Sequence, residues 1–263
     1  MAATTSPEAV RRLVSPARLD DLHVDDGGLV SSLPERDPPR SRRFEGLYGR
    51  AYNRVIQAPA LRRAAFSVWG SADPLYDLDR FVEDAVEAAH AIGGGSPVLV
   101  DLPSGGGTLL PFLHRYGFAG TAVEVDLATA MLRRALTLAD DIGAGFETVF
   151  LRSDALDLPL RADLADVVVS VNGLHVVADH ARLLSEVARI AKPGGGLWLI
   201  TPVRGPSARS RAILAAARAL GVTPRPPPTL PELRRLIADV GLREVRSYGG
   251  ESITGLACRT AAD

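Results

Sequence analysis

Cysteine is almost missing from this 263-residue chain: Cys258 stands alone, so neither an internal disulfide nor a cysteine metal cluster can form within it. A reducing compartment fits that usage best. Lysine is equally scarce, with Lys192 the single lysine among 30 basic residues. Neither sign of charge dominates, since 31 acidic residues leave a formal net charge of −1. That balance supplies no long-range field for gathering phosphate backbones or anionic lipid, so a dedicated nucleic-acid binder is not expected. Long apolar runs are also lacking. The most apolar stretch, residues 164–177, is broken by Asp166 and Asn172, so no membrane span is expected. The first residues are small and polar, and acids follow at Glu8, Asp20 and Asp21, unlike a secretory leader. The expectation is a cytoplasmic protein.

What is present is an ordinary globular mixture, 46% apolar and 23% charged, long enough to bury a sizeable core without staples. Three stretches differ in rhythm. Residues 1–43 show little periodicity and end in a Pro- and Arg-rich run, which reads as a flexible, solvated N-terminal segment. Residues 44–92 carry apolar residues at steps of three and four, the pattern of a helical cap. From residue 93 onward, short β-rich runs alternate with helical patterns of ten to fifteen residues. Strands are predicted at 98–102, 121–125, 146–151, 167–171, 197–201, 242–247 and 252–258. Helices are predicted at 106–116, 128–140, 179–191, 207–220 and 231–240. Several strands are apolar on both faces, as parallel strands covered by helices must be. The fold class is therefore α/β, a doubly wound, mostly parallel seven-stranded sheet, with chemistry sought beyond the carboxyl ends of its strands.

The loop after the first of these strands reads Asp101-Leu102-Pro103-Ser104-Gly105-Gly106-Gly107-Thr108, an acid followed by a glycine-rich turn. Glycines let a backbone approach a bound group closely, and a following helix start would offer free N–H groups, so a nucleotide-like ligand is implied. A dinucleotide fingerprint would need glycine where Leu110 stands, and a phosphate loop would need a lysine that is elsewhere.

These residues resemble the class I S-adenosylmethionine-dependent methyltransferases, in particular their quinone-biosynthesis-like, small-molecule branch. Asp101, Gly105 and Gly107 match the family's D-x-G-x-G-x-G, with Pro103 where its first glycine is usual. The run from Ala122 through Glu124, Val125, Asp126 and Leu127 to Met131 is similar to G-V-D-x-S-x-x-M-L. The resemblance makes Asp126 the acceptor for the ribose hydroxyls. Glu124, two residues deeper on the same strand face, is the competing acid. Ser153-Asp154-Ala155 looks like the family's G-D-A and assigns Asp154 to the adenine amino group, with Ala155 beside the ring. Asn172 falls at the end of a strand resembling F-D-x-V, near the methionine portion. The run from Leu184 to Gly196 follows L-x-E-x-x-R-V-L-K-P-G-G and is explained by the fold alone, a helix stopped by Pro193 and Gly194 before a core strand.

The resemblance thus implies a Rossmann-like methyltransferase. It binds S-adenosylmethionine, leaves S-adenosylhomocysteine, and uses Asp101, Pro103, Ser104, Gly105, Gly107, Asp126, Leu127, Asp154, Ala155, Asn172 and Tyr52. Tyr48 and Tyr52 resemble a tyrosine segment that caps the cofactor's amino-acid end, although core packing explains either one equally well. Phe66 and Trp69 are candidates for the acceptor side or for core. The acceptor would be a small molecule methylated at oxygen, carbon or nitrogen. A base is needed only if that acceptor carries a proton, and His175 is the first candidate, ahead of His180 near a helix start, against the plain alternative of a packed loop residue. His23, His90 and His114 lack metal-ligand spacing, and no metal site is expected. A homodimer is one assembly the sequence leaves open. A catalytically silent subunit, or a different reaction on the same cofactor, are the competing readings.

Overall fold

The computed structural model describes residues 5–34, 58, 60–62, 78–219, 226–250 and 252–262. Tyr48, Tyr52, Phe66 and Trp69 lie outside them, as does most of the expected cap.

Seven strands form the body of the sheet: β3 (Val98–Asp101), β4 (Thr121–Asp126), β5 (Glu147–Arg152), β6 (Ala165–Val171), β7 (Ala191–Pro202), β8 (Arg243–Tyr248) and β9 (Ile253–Arg259). Their spatial order is β5-β4-β3-β6-β7-β9-β8, parallel except for β9, which runs antiparallel to both neighbours. Chain order reverses between β3 and β6, which places the glycine-rich loop at the topological switch point. The strand period of two divides the core between the faces. Val100, Val123 and Val168 face α5 (His180–Ile190) and α7 (Leu230–Asp239), whereas Leu99, Ala122 and Val169 face α2 (Leu78–Gly93) and α3 (Leu110–Arg115). On that second face, α4 (Thr129–Ile142) packs Ala135 and Ala139 against Phe150. The remaining helix, α6 (Ala208–Ala219), occupies part of the Pro-containing stretch after β7.

The N-terminal segment differs from expectation. Residues 5–34 are not a tether but fold onto the sheet edge. Ser6 caps α1 (Pro7–Leu13), whose Ala9, Val10 and Leu13 join the main core. A two-strand hairpin, β1 (His23–Val24) and β2 (Val30–Ser31), then extends the sheet to nine strands by pairing β2 in parallel with β5. The apolar spacing is visible in retrospect, but one seven-residue helix and two two-residue strands are too short to produce a periodic signal. Two arginines hold the segment. Arg161 donates from Nε to the Val14 carbonyl at 2.9 Å, and the buried Arg152 donates from Nη1 to the carbonyl of Pro34 at 2.6 Å and to Ser31 Oγ at 3.1 Å.

The helix at 78–93, expected in the cap, belongs to the sheet domain: Phe81, Val82, Ala85 and Ala89 are buried against Val167, Trp198 and Ile200 of β6 and β7. No helix among the described residues is long and apolar enough to cross a membrane.

Candidate functional site

The carboxyl ends of β3, β4, β5 and β6 form one rim. Pro103, Gly105, Asp126, Leu127, Asp154, Ala155 and Asn172 are all half-buried there, while the strands behind them are closed. The tertiary structure therefore gathers residues from four separated segments. Tyr52 is the member of the expected set that lies outside the described residues.

The glycine-rich loop turns back on its own strands. Ser104 N–H donates to the Val125 carbonyl at 2.8 Å, and Gly105 N–H donates to Asp126 Oδ2 at 2.9 Å. Gly105 has φ +57° and Gly107 φ +75°, values that glycine adopts without strain. A Cβ on Gly107 would also stand 2.7 Å from Leu110 Cδ1 and 3.0 Å from Ala135 Cα, so this glycine lets α4 approach the loop. The helix start differs from expectation. α3 begins at Leu110, not at 106, because residues 106–109 are spent in turns, with Gly107 and Thr108 donating to the Ser104 carbonyl. The loop N–H groups are engaged with the protein, so an anion gains little from them.

Pro103, where the resemblance expects glycine, carries the turn through a cis peptide with Leu102 and packs against the loop after β6. A Cβ on Gly173 would lie 2.1 Å from Pro103 Cδ, so the two loops are in direct contact and Gly173 must remain glycine for that contact to exist. Just before it, Asn172 sits at φ +56° with its N–H donating to the Ile200 carbonyl at 2.8 Å. A non-glycine residue in the left-handed region at a strand end is a strained placement of the kind that concentrates at binding sites.

Asp126 already accepts the N–H groups of Gly105 and, through Oδ1, of Ala128 at 2.8 Å. An ionised carboxylate offers about four lone-pair positions, so it can accept more than one donor at once. Asp154, in the turn after β5, accepts Leu156 N–H through Oδ1 at 3.1 Å. That turn is braced by the N-terminal hairpin, since Ser32 Oγ lies 3.0 Å from Ser153 Oγ and Ser32 N–H donates to the Arg152 carbonyl.

Beneath the rim lie two further acids. Asp101 and Glu124 are neighbours across β3 and β4, and are 2% and 0% exposed. Neither Glu124 oxygen nor Asp101 Oδ2 has a hydrogen-bond partner. Burial, then the nearby charges of Glu124 and Asp126, hold the Asp101 carboxyl well above the usual carboxylate range. Burial pushes Glu124 up to about 8; the Ser104 hydroxyl, close by but outside good hydrogen-bond geometry, moderates the rise, and Asp126 adds to it. Glu124, weighed from sequence only as a rival to Asp126, is thus a distinct feature of the site.

His175 lies in the short 3₁₀ turn Leu174–Val176 after β6 and is buried, with Nδ1 unpartnered. Burial, helped by the charge of His180, lowers its pKa to about 4, so the ring is neutral at pH 7 and a weaker base than a free imidazole.

An adenosyl-amino-acid ligand fits this donor set. The carboxylates of Asp126 and Asp154 stand on neighbouring strand ends, where hydroxyl and amine donors suit them, and the buried carboxyls of Asp101 and Glu124 lie beneath.

Residues 100–199 match the family model described as a methyltransferase domain. The chain is 25% identical over 152 residues to the ubiquinone biosynthesis O-methyltransferase of Pseudomonas paraeruginosa, an alignment covering 58% of this chain and 63% of the relative. The match spans less than two thirds of that relative's length. Among solved structures, a SAM-dependent methyltransferase from Aquifex aeolicus superposes with TM-score 0.54 at 18% identity, over 80% of this chain and 98% of the other. The [4+2]-cyclase SpnF superposes with TM-score 0.63 at 16% identity, over 88% and 99%. These two likenesses establish the fold.

Proposed function

We propose that this chain is a class I S-adenosylmethionine-dependent methyltransferase that transfers a methyl group from S-adenosylmethionine to a small-molecule acceptor and releases S-adenosylhomocysteine. The observation that carries the reading is the convergence of Asp126, Asp154 and Asn172 on one half-open rim at the switch point, with Asp101 buried directly beneath it. In this reading Asp126 holds the ribose diol, Asp154 the adenine amino group beside Ala155 and Leu127, and Asp101 and Asn172 the amino-acid end. Pro103, Ser104, Gly105 and Gly107 shape the floor.

S-adenosylmethionine supplies a methyl group on a sulfonium, activated for in-line displacement. The protein's share is placement and exclusion of water. The contact between Pro103 and Gly173 fixes the cofactor loop against the turn that carries His175. A neutral His175 can take the proton of a hydroxyl or similar acceptor as the new bond forms.

Calorimetric titration with S-adenosylhomocysteine tests the reading. Saturable binding is expected, and Asp126→Asn, which keeps the shape but removes the charge, should weaken it by about 1.5–3 kcal/mol, the range for charged hydrogen bonds. Unchanged affinity would remove Asp126 from the site, and product analysis by mass spectrometry separates methyl transfer from other chemistry on the same fold. With an acceptor in hand, His175→Ala should lower turnover by on the order of 10²-fold while cofactor affinity holds. Retained turnover would assign His175 to packing.

A further inference from the structure

Where the resembling family motif has glycine two residues before the ribose acid, this chain has Glu124. The side chain is fully buried and stands in register with Asp101 on the adjacent strand. Successive residues of a strand alternate faces, so Asp101, Glu124 and Asp126 share the face that looks toward α2, α3 and the underside of the glycine-rich loop.

The surroundings offer this pair no compensating charge among the described groups that bear on it. On β4 the neighbour is another acid, Asp126. From the loop comes the neutral hydroxyl of Ser104, itself 2% exposed. On β6, Val169 stands opposite Asp101, and on β5, Phe150 stands opposite Glu124. Arg152, two residues farther along β5 and opposite Asp126, donates from Nη1 to Ser31 Oγ and the carbonyls of Leu33 and Pro34, and its charge is not among those that shift Asp101 or Glu124. His175, in the turn after β6, is neutral. Two carboxyls this close and this dry cannot both be ionised, because desolvation and mutual repulsion both oppose the second charge.

We propose that Glu124 and Asp101 share one proton in the ligand-free protein and surrender it to solvent in exchange for the ammonium group at the amino-acid end of the bound nucleoside. Glu124 is then a positioning residue: it acts through Asp101, making the empty site electrically neutral and the occupied site complementary to a cation. The inference rests on the cofactor reading given above and adds a regulation of that same site. No bond other than O–H breaks. The carboxyl proton passes to buffer and the ligand's positive charge takes its place.

The exchange has a direct signature in the full-length protein. S-adenosylhomocysteine carries the ammonium, whereas 5′-methylthioadenosine has the same nucleoside without it. Titrated calorimetrically at pH 7 in phosphate and in Tris, whose ionisation heats differ widely, S-adenosylhomocysteine should release close to one proton per molecule bound, and 5′-methylthioadenosine none. Affinity for S-adenosylhomocysteine should fall by up to about tenfold per pH unit below neutrality, the limit for one linked proton. Glu124→Gln should bind with heats independent of the buffer and with a flat pH profile. Heats from the wild type that do not depend on buffer, with binding intact, would overturn the proposal and leave the cofactor reading standing. Equal proton release with both nucleosides would also overturn it, by removing the ammonium from the exchange. Failure of both nucleosides to bind would instead overturn the cofactor reading on which the proposal depends. The wild-type comparison decides the matter even if Glu124→Gln does not fold.

Discussion

Buried acids at the two ends of the parallel sheet live in opposite circumstances. At the amino ends, Asp166 is fully buried but receives Val98 N–H at 2.7 Å and Lys192 Nζ at 2.7 Å. On the flanking helix, Glu186 receives Leu158 N–H at 3.0 Å and Arg189 Nη2 at 2.8 Å. Burial works against that carboxylate, yet the hydrogen bonds from Arg189 and Leu158 and the charges of Arg189 and Arg182 outweigh it and lower its pKa. At the carboxyl ends, Asp101 and Glu124 have comparable burial, yet among the described residues neither Glu124 oxygen nor Asp101 Oδ2 has a hydrogen-bond partner. The same residue type is structural where its charge is matched internally. In the exchange proposed above, it is held in reserve for a ligand where it is not.

Two substitutions break this contrast from opposite sides. Asp166→Ala should have the larger effect. It strips the acceptor from Val98 N–H and strands Lys192, at a cost of about 3 kcal/mol for half of a buried pair, reduced somewhat because Lys192 is 34% exposed. Chemical denaturation would read this as a lower midpoint at unchanged slope. A loss below about 0.5 kcal/mol, the range of ordinary surface changes, would show that the pair is not a structural anchor.

Glu124→Gln should act in the other direction. Because the folded-state pKa of Glu124 is raised from 4.5 to about 8, the folded protein binds more protons than the unfolded chain between those values. Its contribution to stability is therefore full below about pH 4.5 and is lost as the pH rises toward 8. The variant removes that loss and should be more stable than wild type at pH 8, by on the order of 2 kcal/mol. No such gain is expected near pH 4.5. Parallel stability curves for the two proteins across this window would mean that Glu124 is ionised and compensated, and the distinction between the two ends of the sheet would fail.

The parts of the fold that were legible are those whose pattern repeats. Val98-Leu99-Val100 and Val167-Val168-Val169 announce strands covered on both faces, and β3 and β6 contain them in adjacent positions. The helix ending before Pro193 is found at His180–Ile190, within one residue of expectation at each end. The role of Lys192 was not legible. Its run reads as a stop signal for α5, whereas its ammonium holds Asp166, 26 residues away in sequence, a pairing that exists only once β6 and β7 lie side by side. The N-terminal arm was missed for a related reason. Ala9 and Leu13 are buried because β5 presents an edge to cover, and nothing within residues 5–34 reports where that edge is.

The rim followed the same division. Motif matches named Asp101, Gly105, Gly107, Asp126, Asp154 and Asn172 individually, because glycine loops and strand-end acids have local spacing. That Gly105 N–H spends itself on Asp126, that Pro103 meets Gly173, and that Glu124 faces Asp101 without a counter-charge among the described residues depend on which strands become neighbours.

The sequence by itself determined the alternation of strands and helices, and with it the doubly wound class, since periods of 2 and 3.6 residues are local properties of the chain. It also determined which acids and glycines end the strands. Only the tertiary structure decided the charge state of those acids. A carboxyl's proton affinity is set by what surrounds it in space, and Asp166 and Glu124 acquire opposite surroundings only when β3 takes its place between β4 and β6.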